Sequence, residues 1–276
     1  MRIRSAIAVA AAVLATFTVA PPVFADSPSD TDSHHQVLGP EARSELAPAA
    51  TDPGDGPMGL DVSHWDHPGE APIDWTKVAA AGKSFAFIKA TERTAYLNPA
   101  FATDIHEAAA AGLDVAPYHF YRGEFDPKEQ AEFFVKTFHS AGYSGFAPGE
   151  LPPVADVEWA ANGGCPPGTT VDNVLTFLRT VQLLSGVRPM IYTQQSFVNS
   201  CLGGTTALGH YRLWTVDYSR TPPRLAPGFP DYTFWQYTIG AVDGVPTSAT
   251  NKVDLDTFHG TARQLAELAH RCWRQH

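Results

Sequence analysis

Basic residues are scarce in this sequence. Its 276 residues include 19 Lys and Arg against 29 Asp and Glu, which gives a formal net charge of −10 at pH 7. Because binding to nucleic-acid phosphates needs clustered cations, this balance argues against a nucleic acid as the partner. Bulk charge also does not draw the protein to anionic polymers. We therefore expect recognition of any such polymer in a specific groove.

Cysteine is scarce as well, with only Cys165, Cys201 and Cys272 in the chain. Their spacings match no zinc-binding pattern. Cys165 and Cys201 both lie in Gly-rich loops after predicted strands, so we expect these two to form a disulfide. Cys272 is then left over; three free thiols are the alternative.

Long apolar runs are missing except at the N-terminus. Arg2 and Arg4 precede an apolar run over residues 5–20, and Val-Phe-Ala at 23–25 supplies small residues for cleavage. This pattern predicts a signal peptide over residues 1–25 and a secreted protein in the extracellular space or cell wall. The run is short for a bilayer span of roughly 20 residues, and an uncleaved anchor is the alternative. Residues 26–56 are rich in Asp, Ser, Pro and Ala and predict a disordered linker or pro-region.

Short apolar runs alternate with helical stretches over residues 57–276, which we expect to form one domain. The predicted strands are Gly59–Ser63, Phe85–Thr91, Val115–Tyr121, Val154–Trp159, Pro189–Thr193, Tyr211–Tyr218, Thr233–Tyr237 and Val253–Phe258. The clearest amphipathic helices are Phe101–Ala111, Lys128–Ala141, Val171–Ser185 and Ala262–Trp273. Gly82, Gly112, Gly142 and Gly186 stand where helices should end.

This alternation predicts an α/β fold with a parallel sheet. About eight strands favour an irregular, flattened (β/α) barrel, with fewer helices on its C-terminal side, where Pro, Gly and Thr dominate after Val187. An open doubly wound sheet is the rival, but no glycine-rich phosphate loop follows the first strand.

Polar and aromatic side chains gather at the C-terminal ends of the predicted strands. In a parallel barrel those ends converge on one mouth, so acids far apart in sequence become neighbours. The residues concerned include Asp61, Lys89, Glu92, Tyr118, Tyr121, Asp156, Glu158, Tyr192, Asp217, Gln236 and Asp254.

The sharpest feature is the pair Asp156 and Glu158, separated by Val157 on an apolar strand. Alternation puts both carboxyls on one face, with Cα atoms ~7 Å apart, and Val157 on the other. Burial and mutual repulsion should raise the pKa of one carboxyl. A protonated acid beside an ionised carboxylate is what glycoside hydrolysis requires. Structural pairing with Lys89 or an arginine is the alternative.

Aromatic residues at the same strand ends favour a sugar as the ligand, because their rings stack on pyranose faces. Core packing is the alternative for any single ring. The candidates are Tyr118, Phe120, Tyr121, Tyr192, Trp214, Tyr218, Trp235 and Tyr237.

In order along the chain, these motifs resemble family 25 of the glycoside hydrolases over about residues 57–260. The matching segments are GLDVSHW (59–65), FIKATE (87–92), PYHFY (117–121), PPVADVE (152–158), PMIYT (189–193), LW (213–214), WQY (235–237) and VDLD (253–256).

The resemblance implies a β-1,4-N-acetylmuramidase, a lysozyme on a flattened barrel that needs no metal or other cofactor. By position, Glu158 matches the general acid and Asp156 its partner carboxylate, with Asp61 and Asp254 as two further acids. The positions expected to hold or flank the sugar are Lys89, Tyr118, Tyr121, Tyr192 and Trp235. We add Trp214 because it is one of the aromatic residues at the strand ends. The expected partner is the glycan strand of bacterial peptidoglycan, bound by a monomer, with no nucleic acid and no membrane after signal cleavage.

The role of Asp156 is open at this point. It could attack the anomeric carbon directly, or it could orient the substrate's 2-acetamido group for that attack. The N-acetyl groups of the substrate and the Asp-x-Glu spacing favour the second scheme, with retention. Two departures from the family pattern are Arg93, where a Gly is common, and Asp66, where Gln usually follows Trp. We expect Asp66 to add an acid at the rim of the groove.

Three other functions remain in view. A chitinase-like barrel usually carries one more Asp two residues before the pair, where this chain has Val154. A non-catalytic peptidoglycan-binding barrel would be expected to lack Glu158. A metal-dependent hydrolase could use Asp61, His64, His119 and Asp254, but a His-x-His on the first strand is absent.

Overall fold

The computed structural model describes residues 53–219, 221–246 and 252–271. The predicted signal peptide, residues 26–52 of the predicted linker, and Cys272 lie outside these ranges. The domain limits at residues 25 and 56 therefore stay predictions.

Eight strands close into a barrel, and a ninth, very short strand extends it at one edge. The strands are β1 (Met58–Val62), β2 (Lys83–Glu92), β3 (Tyr96–Leu97), β4 (Asp114–Phe120), β5 (Val154–Asp156), β6 (Met190–Tyr192), β7 (Arg212–Val216), β8 (Phe234–Gly240) and β9 (Val253–Phe258). The sheet order is β1-β9-β8-β7-β6-β5-β4-β2-β3, and the additional pairing of β1 with β2 closes the ring. All eight predicted strands are present, which confirms the irregular α/β barrel.

The last strand departs from the expected parallel arrangement. β9 pairs antiparallel with both β1 and β8, whereas the other barrel neighbours are parallel. A parallel crossover needs a connection long enough to return along the barrel, and usually a helix. Residues 241–246 and 252, the described part of the link from β8 to β9, contain no helix. The chain turns back at the mouth, so the early residues of β9 lie there.

Within the described ranges, six α-helices pack against the strands, with 3-10 turns at His64–Asp66 and Pro68–Glu70. The helices are α1 (Trp75–Ala80), α2 (Phe101–Ala110), α3 (Pro127–Ser140), α4 (Val171–Ser185), α5 (Gln195–Cys201) and α6 (Ala262–Arg271). The four predicted helices correspond to α2, α3, α4 and α6. Gly82 indicated the end of a helix at α1, but no helical period indicated α1 or α5, because six or seven residues are too few to show one.

Glycine ends the longest helix as the sequence predicted. Gly186 caps α4 in the left-handed conformation, with φ of 76°, and its N–H donates to the carbonyl of Gln182. This conformation costs glycine no Cβ clash. Gly82, Gly112 and Gly142 also have positive φ where α1, α2 and α3 end.

Two apolar cores lie on the two faces of the barrel wall. The inner core contains alternate strand residues such as Phe85, Phe87 and Trp214, together with Leu265 and Leu268 of α6. Since α6 follows β9 at the end opposite the mouth, it covers the bottom of the barrel. The outer core lies between the strands and the other helices. The barrel is therefore a packed body with one polar end.

Within the described ranges, every helix is too short or too polar to pass through a lipid bilayer.

Candidate active site

The four acids predicted from separate motifs interact with one another at the barrel mouth. Asp156 ends β5, and Glu158 follows it by two residues. Asp61 lies near the end of β1, and Asp254 stands opposite it on β9. Asp156, Asp254 and Asp61 each raise the pKa of Glu158 through their negative charge. The structure thus joins these residues into one acidic cluster.

Side-chain alternation along β5 follows the predicted pattern. Val154 belongs to the inner core, whereas Ala155 and Val157 are buried in the outer core. Asp156 therefore faces the barrel interior. The regular strand ends at Asp156, not at Trp159 as expected, although the N–H of Val157 still donates to the carbonyl of Tyr192 at 2.9 Å.

Asp156 and Glu158 differ from Asp61 and Asp254 in their hydrogen bonding. Among the described residues, no partner reaches the buried oxygens Asp156 Oδ1 and Glu158 Oε2. A buried polar atom without a partner is costly, so such atoms commonly mark a place where a ligand binds. The two carboxyls are thereby available to substrate.

Burial is the main reason that both carboxyls hold protons strongly. It raises the pKa of Asp156 well above the ordinary value, and Lys89 opposes that effect. The pKa of Glu158 is also raised well above normal, by burial first and then by the charge of Asp156. Three neighbouring carboxylates act on Glu158, so this group is well suited to remain a protonated acid.

Gln236 connects Asp61 to two tyrosines. Its Nε2 donates to Asp61 Oδ2 at 2.6 Å. Its Oε1 accepts from the hydroxyls of Tyr192 at 3.1 Å and Tyr218 at 3.2 Å. Burial raises the pKa of Asp61 to about 7; the bond from Gln236 opposes the shift, and the charge of Asp66 adds to it.

Asp254 is held by a short hydrogen bond. The hydroxyl of Tyr218 lies 2.6 Å from Asp254 Oδ1. Burial and the charge of Asp61 raise the pKa of Asp254 well above normal, whereas the tyrosine bond lowers it. The sequence placed Gln236 and Tyr218 among the side chains at the strand ends, but it did not indicate their bonds to Asp61 and Asp254, because those partners lie in distant strands.

Asp66 occupies the position where the family pattern usually has Gln. Its carboxylate accepts the backbone N–H of Ser63 at 2.8 Å, inside the 3-10 turn that follows β1. Burial raises its pKa to about 6. The sequence predicted an extra acid at the rim, whereas this side chain is folded into the turn and buried.

His67 fastens the same turn to α2. Its Nδ1 lies 3.0 Å from the carbonyl of Ala71, and its Nε2 lies 2.8 Å from Asp104 Oδ2. Both neighbours are acceptors, so the ring fills both bonds only as the doubly protonated cation. The second Asp104 oxygen accepts the indole N–H of Trp75 at 3.1 Å.

Lys89 is buried inside the barrel wall, on the inner face of β2. Its Nζ lies 2.8 Å from Glu92 Oε2 and 4.8 Å from the centre of the Phe120 ring. Arg122 contacts the other Glu92 oxygen at 3.2 Å. The positive charge of Lys89 lowers the pKa of both Asp156 and Glu158.

The predicted aromatic residues divide between the two faces of the wall. Tyr118, Tyr192 and Trp214 belong to the inner core below the acids. Tyr121 lies in the outer core against Phe177, so the structure does not bring it to the acidic cluster.

Trp235 also misses the mouth. It follows inward-facing Phe234, is 1% exposed, and donates its indole N–H to the carbonyl of Asp217 at 3.0 Å. Because successive side chains along a strand point to opposite faces, Trp235 faces outward, and the motif alone does not show this. Trp65, for which the sequence indicated no role, is 40% exposed beside His64 in the turn after β1.

Cys165 and Cys201 form the predicted disulfide. It joins the loop that follows Glu158 to the last residue of α5. Trp159 adds to this connection by packing edge-on against Phe197 of α5 at 5.4 Å. The loop carrying the acid is therefore tied to the helical layer.

The two histidines proposed for a metal site are each bonded to other side chains. His119 is buried between Thr91 at 2.8 Å and Gln130 at 3.1 Å, on the outer side of β4. His64 bonds to the hydroxyl of Tyr96 at 2.7 Å. Across the described ranges, no three His, Cys, Asp or Glu side chains converge in a metal-binding group.

Residues 60–244 match the family described as Glycosyl hydrolases family 25. Lysozyme M1 of Streptomyces globisporus is 33% identical over 238 residues, which cover 84% of this chain and 76% of that protein. An N,O-diacetylmuramidase of Chalaropsis sp is 29% identical over 188 residues, covering 65% of this chain and 86% of the relative.

Solved lysozyme structures are also similar to this chain. A bacterial lysozyme from Streptomyces coelicolor superposes with a TM-score of 0.70 at 31% identity, covering 79% of this chain and 99% of that one. A family GH25 lysozyme from Aspergillus fumigatus gives a TM-score of 0.64 at 27% identity, with 77% and 98% covered.

Proposed function

The chain belongs to family 25 of the glycosyl hydrolases and is a peptidoglycan-hydrolysing lysozyme, and within that activity we propose that Glu158 is the catalytic acid. The bond cleaved is the β-1,4 link between N-acetylmuramic acid and N-acetylglucosamine. One observation carries the assignment: within the described ranges, Asp156 and Glu158 each keep a buried oxygen without a partner, whereas Asp61 and Asp254 are bonded to Gln236 and Tyr218.

In the first step, Glu158 gives its proton to the leaving glycosidic oxygen. The substrate's acetamido oxygen attacks the anomeric carbon, and the C–O bond to the leaving sugar breaks. Asp156 accepts a hydrogen bond from the acetamido N–H and stabilises the positive charge of the cyclic intermediate. In the second step, Glu158 takes a proton from water, and the water oxygen attacks the anomeric carbon and opens the ring of the cyclic intermediate. Two displacements at one carbon retain the anomeric configuration.

Asp61 and Asp254 adjust the charge around this centre. Both lie close enough to raise the pKa of Glu158 by repulsion, which helps Glu158 remain protonated at the working pH. Where they are ionised, their charge also stabilises the oxocarbenium-like transition state.

The barrel supplies the sugar contacts at two levels. We assign Tyr118 and Tyr192, which border the acids, to the floor of the groove, and the exposed ring of Trp65 to its rim. Lys89 contributes charge to this floor. The buried Trp214 and Trp235 position neighbouring strands, since neither ring presents an open face.

The test is digestion of purified peptidoglycan by the full-length protein, followed by borohydride reduction and mass analysis. Wild type should release fragments with reduced muramic acid ends, and Glu158→Gln should release none while still binding the polymer. Glu129→Gln, on the exposed face of α3, is the matched control and should behave as wild type. Reduced glucosamine ends would mean a glucosaminidase. Binding without release by wild type would mean a wall-binding module.

The stereochemical scheme is tested separately. Proton NMR of a fresh digest should show the β-anomer first, and a thiazoline analogue of the cyclic intermediate should inhibit wild type. Asp156→Asn should weaken that inhibition by at least about tenfold, since an amide stabilises the charged ring less well. An α-anomer as the first product would exclude retention.

We also propose that the protein is exported, loses residues 1–25 and acts as a monomer. The Cys165–Cys201 disulfide supports an oxidising compartment. Mass spectrometry of the protein recovered from culture medium should give a chain beginning at Asp26, and sedimentation should give the mass of one chain. An intact leader on a membrane-bound protein would contradict the export proposal.

A further inference from the structure

Asp256 is a carboxyl that the catalytic scheme above does not use. It lies on β9 opposite Gly59 of β1 and Gln236 of β8, deeper in the barrel than Asp254. Its side chain is on the inner face and is 0% exposed. Such a position is costly for an ionised carboxylate unless strong partners compensate for the lost water.

One oxygen of Asp256 has a clear donor. The indole N–H of Trp214 lies 2.7 Å from Asp256 Oδ1. Trp214 is itself fixed, because its ring stacks on Phe87 at 4.2 Å and meets Tyr192 edge-on at 4.5 Å. The position of this oxygen is thus set by the packed floor of the site.

The other side of Asp256 meets a second acid. Asp256 and Asp61 lie on the inner faces of the paired strands β9 and β1, two residues apart in the register, and in the described part of the chain no N–H or O–H donor reaches the buried Asp256 Oδ2. Two ionised carboxylates at such positions repel each other. A proton on one of the two acids removes that repulsion and supplies the missing donor.

The surroundings of Asp61 and Asp256 decide which of them carries the proton. Asp61 is partly exposed and already accepts 2.6 Å from the amide of Gln236, which favours its ionised form. Asp256 is sealed from solvent and has one neutral donor. Asp254 and Tyr218 also face it, and Lys83, at the start of β2, makes no ion pair with it in the described part of the chain.

We propose that Asp256 is a neutral, protonated positioning residue that donates its O–H to Asp61 and so orients the Asp61 carboxylate at the barrel mouth. Gln236 holds the other side of that carboxylate. The ionised Asp61 then keeps its charge beside Glu158, while Asp256 adds none. This inference rests on the proposed role of Asp61, and its test separates the two.

The test compares Asp256→Asn with Asp256→Leu in the purified full-length protein. Asn can accept from Trp214 and donate to Asp61, so it copies the bonding of a neutral acid. Leu has a similar shape and does neither. We expect Leu to lower kcat by about tenfold to hundredfold, with little change in KM and a shifted pH profile. Asn should recover most of that loss and keep the wild-type pH profile.

Infrared spectroscopy in heavy water reads the proton directly. Asp256→Asn should remove one protonated-carboxyl band that the wild type shows at neutral pH, also in the Glu158→Gln background. A band of unchanged intensity would overturn the proposal, as would a folded Leu variant with wild-type kcat and pH profile. If Glu158→Gln stays active, the proposed catalytic roles fail, whereas the infrared result still decides the state of Asp256.

Discussion

Asp254 of β9 lies directly opposite Asp61 of β1, although the two strands run in opposite directions. The second residue of β9 and the fourth of β1 therefore meet at one end of the barrel. The charge of Asp61 raises the pKa of Asp254, and both charges raise that of Glu158. An antiparallel strand in a mostly parallel barrel thus completes the acidic cluster.

The bond from Tyr218 should matter for this pair. Tyr218→Phe removes the 2.6 Å donor to Asp254, so the pKa of Asp254 should rise further and its ionised form should be lost. We expect kcat/KM to fall by about tenfold. Tyr211→Phe, at a half-buried tyrosine near Arg188, is the control. Equal pH–rate profiles for Tyr218→Phe and wild type would contradict this reasoning.

The alkaline limit of activity should depend on Asp156. Glu158 acts as an acid, so activity is lost as pH rises through its pKa, which the charge of Asp156 helps to raise. In Asp156→Asn the residual activity should therefore lose its alkaline limb at lower pH, by about one unit. The measurement is kcat/KM against pH with a fluorescent glycan. An alkaline limb that moves to higher pH would contradict the assignment of Glu158 as the acid and Asp156 as its partner.

Lys89 should affect the same profile in the opposite direction. Its charge lowers the pKa of Asp156 and of Glu158, so Lys89→Met should move both limbs to higher pH. The change also leaves buried Glu92 without its 2.8 Å partner, and unfolding should become easier by about 3–5 kcal/mol. Chemical denaturation measures this cost.

A double variant provides the control for stability. Lys89→Met with Glu92→Gln removes the buried carboxylate that has lost its lysine and keeps only Arg122 as a close partner, so part of the lost stability should return. The shift of both limbs should persist. If the double variant is no more stable than the single one, the loss comes from packing and not from charge.

The hydrogen bond between His67 and Asp104 predicts that stability depends on pH. Its hydrogen bonds to Asp104 raise the pKa of His67 above the ordinary value despite the opposing effect of burial, which is the largest single influence. Because the folded-state pKa is raised, the stabilisation is complete below the unfolded pKa, near 6.5. It disappears as pH rises through the folded pKa.

Asp104→Asn tests the bond between His67 and Asp104 while keeping an acceptor for the indole N–H of Trp75. Near pH 5.5 it should lower the free energy of unfolding by about 1–3 kcal/mol, and the difference from wild type should shrink as pH rises. Asp126→Asn, at the exposed start of α3, is the matched control. A difference that stays constant from pH 5.5 to 9 would mean that His67 does not titrate there.

The disulfide should stabilise the fold more than it serves catalysis. Cys165 and Cys201 are 36 residues apart, so closing that loop restricts the unfolded chain by about 4 kcal/mol at most. The double Ser variant should melt at a lower temperature and become insensitive to reductant. Below its melting temperature it should keep most of its kcat, since the Glu158 loop is also held by Trp159 packing on Phe197. A variant that is fully folded yet inactive would place the disulfide in the catalytic geometry.

Local patterns in the sequence predicted most of the barrel. Alternation along β5 placed Asp156 on the inner face and Val157 on the outer one, because side-chain direction in a strand depends only on the local backbone. The glycine after α4 could also be predicted from nearby residues. These features involve short-range geometry, so they needed no knowledge of distant partners.

Tertiary structure alone decided the direction of β9 and the bonding of the acids. Gln236 and Asp61 are 175 positions apart, and Trp214 and Asp256 are 42 apart, yet each pair makes one hydrogen bond. Trp235 matched a motif but faces away from the mouth. Which strands pair, in which direction and in which register, depends on long-range packing, and only that packing brings donors to particular carboxylates and withholds them from Glu158.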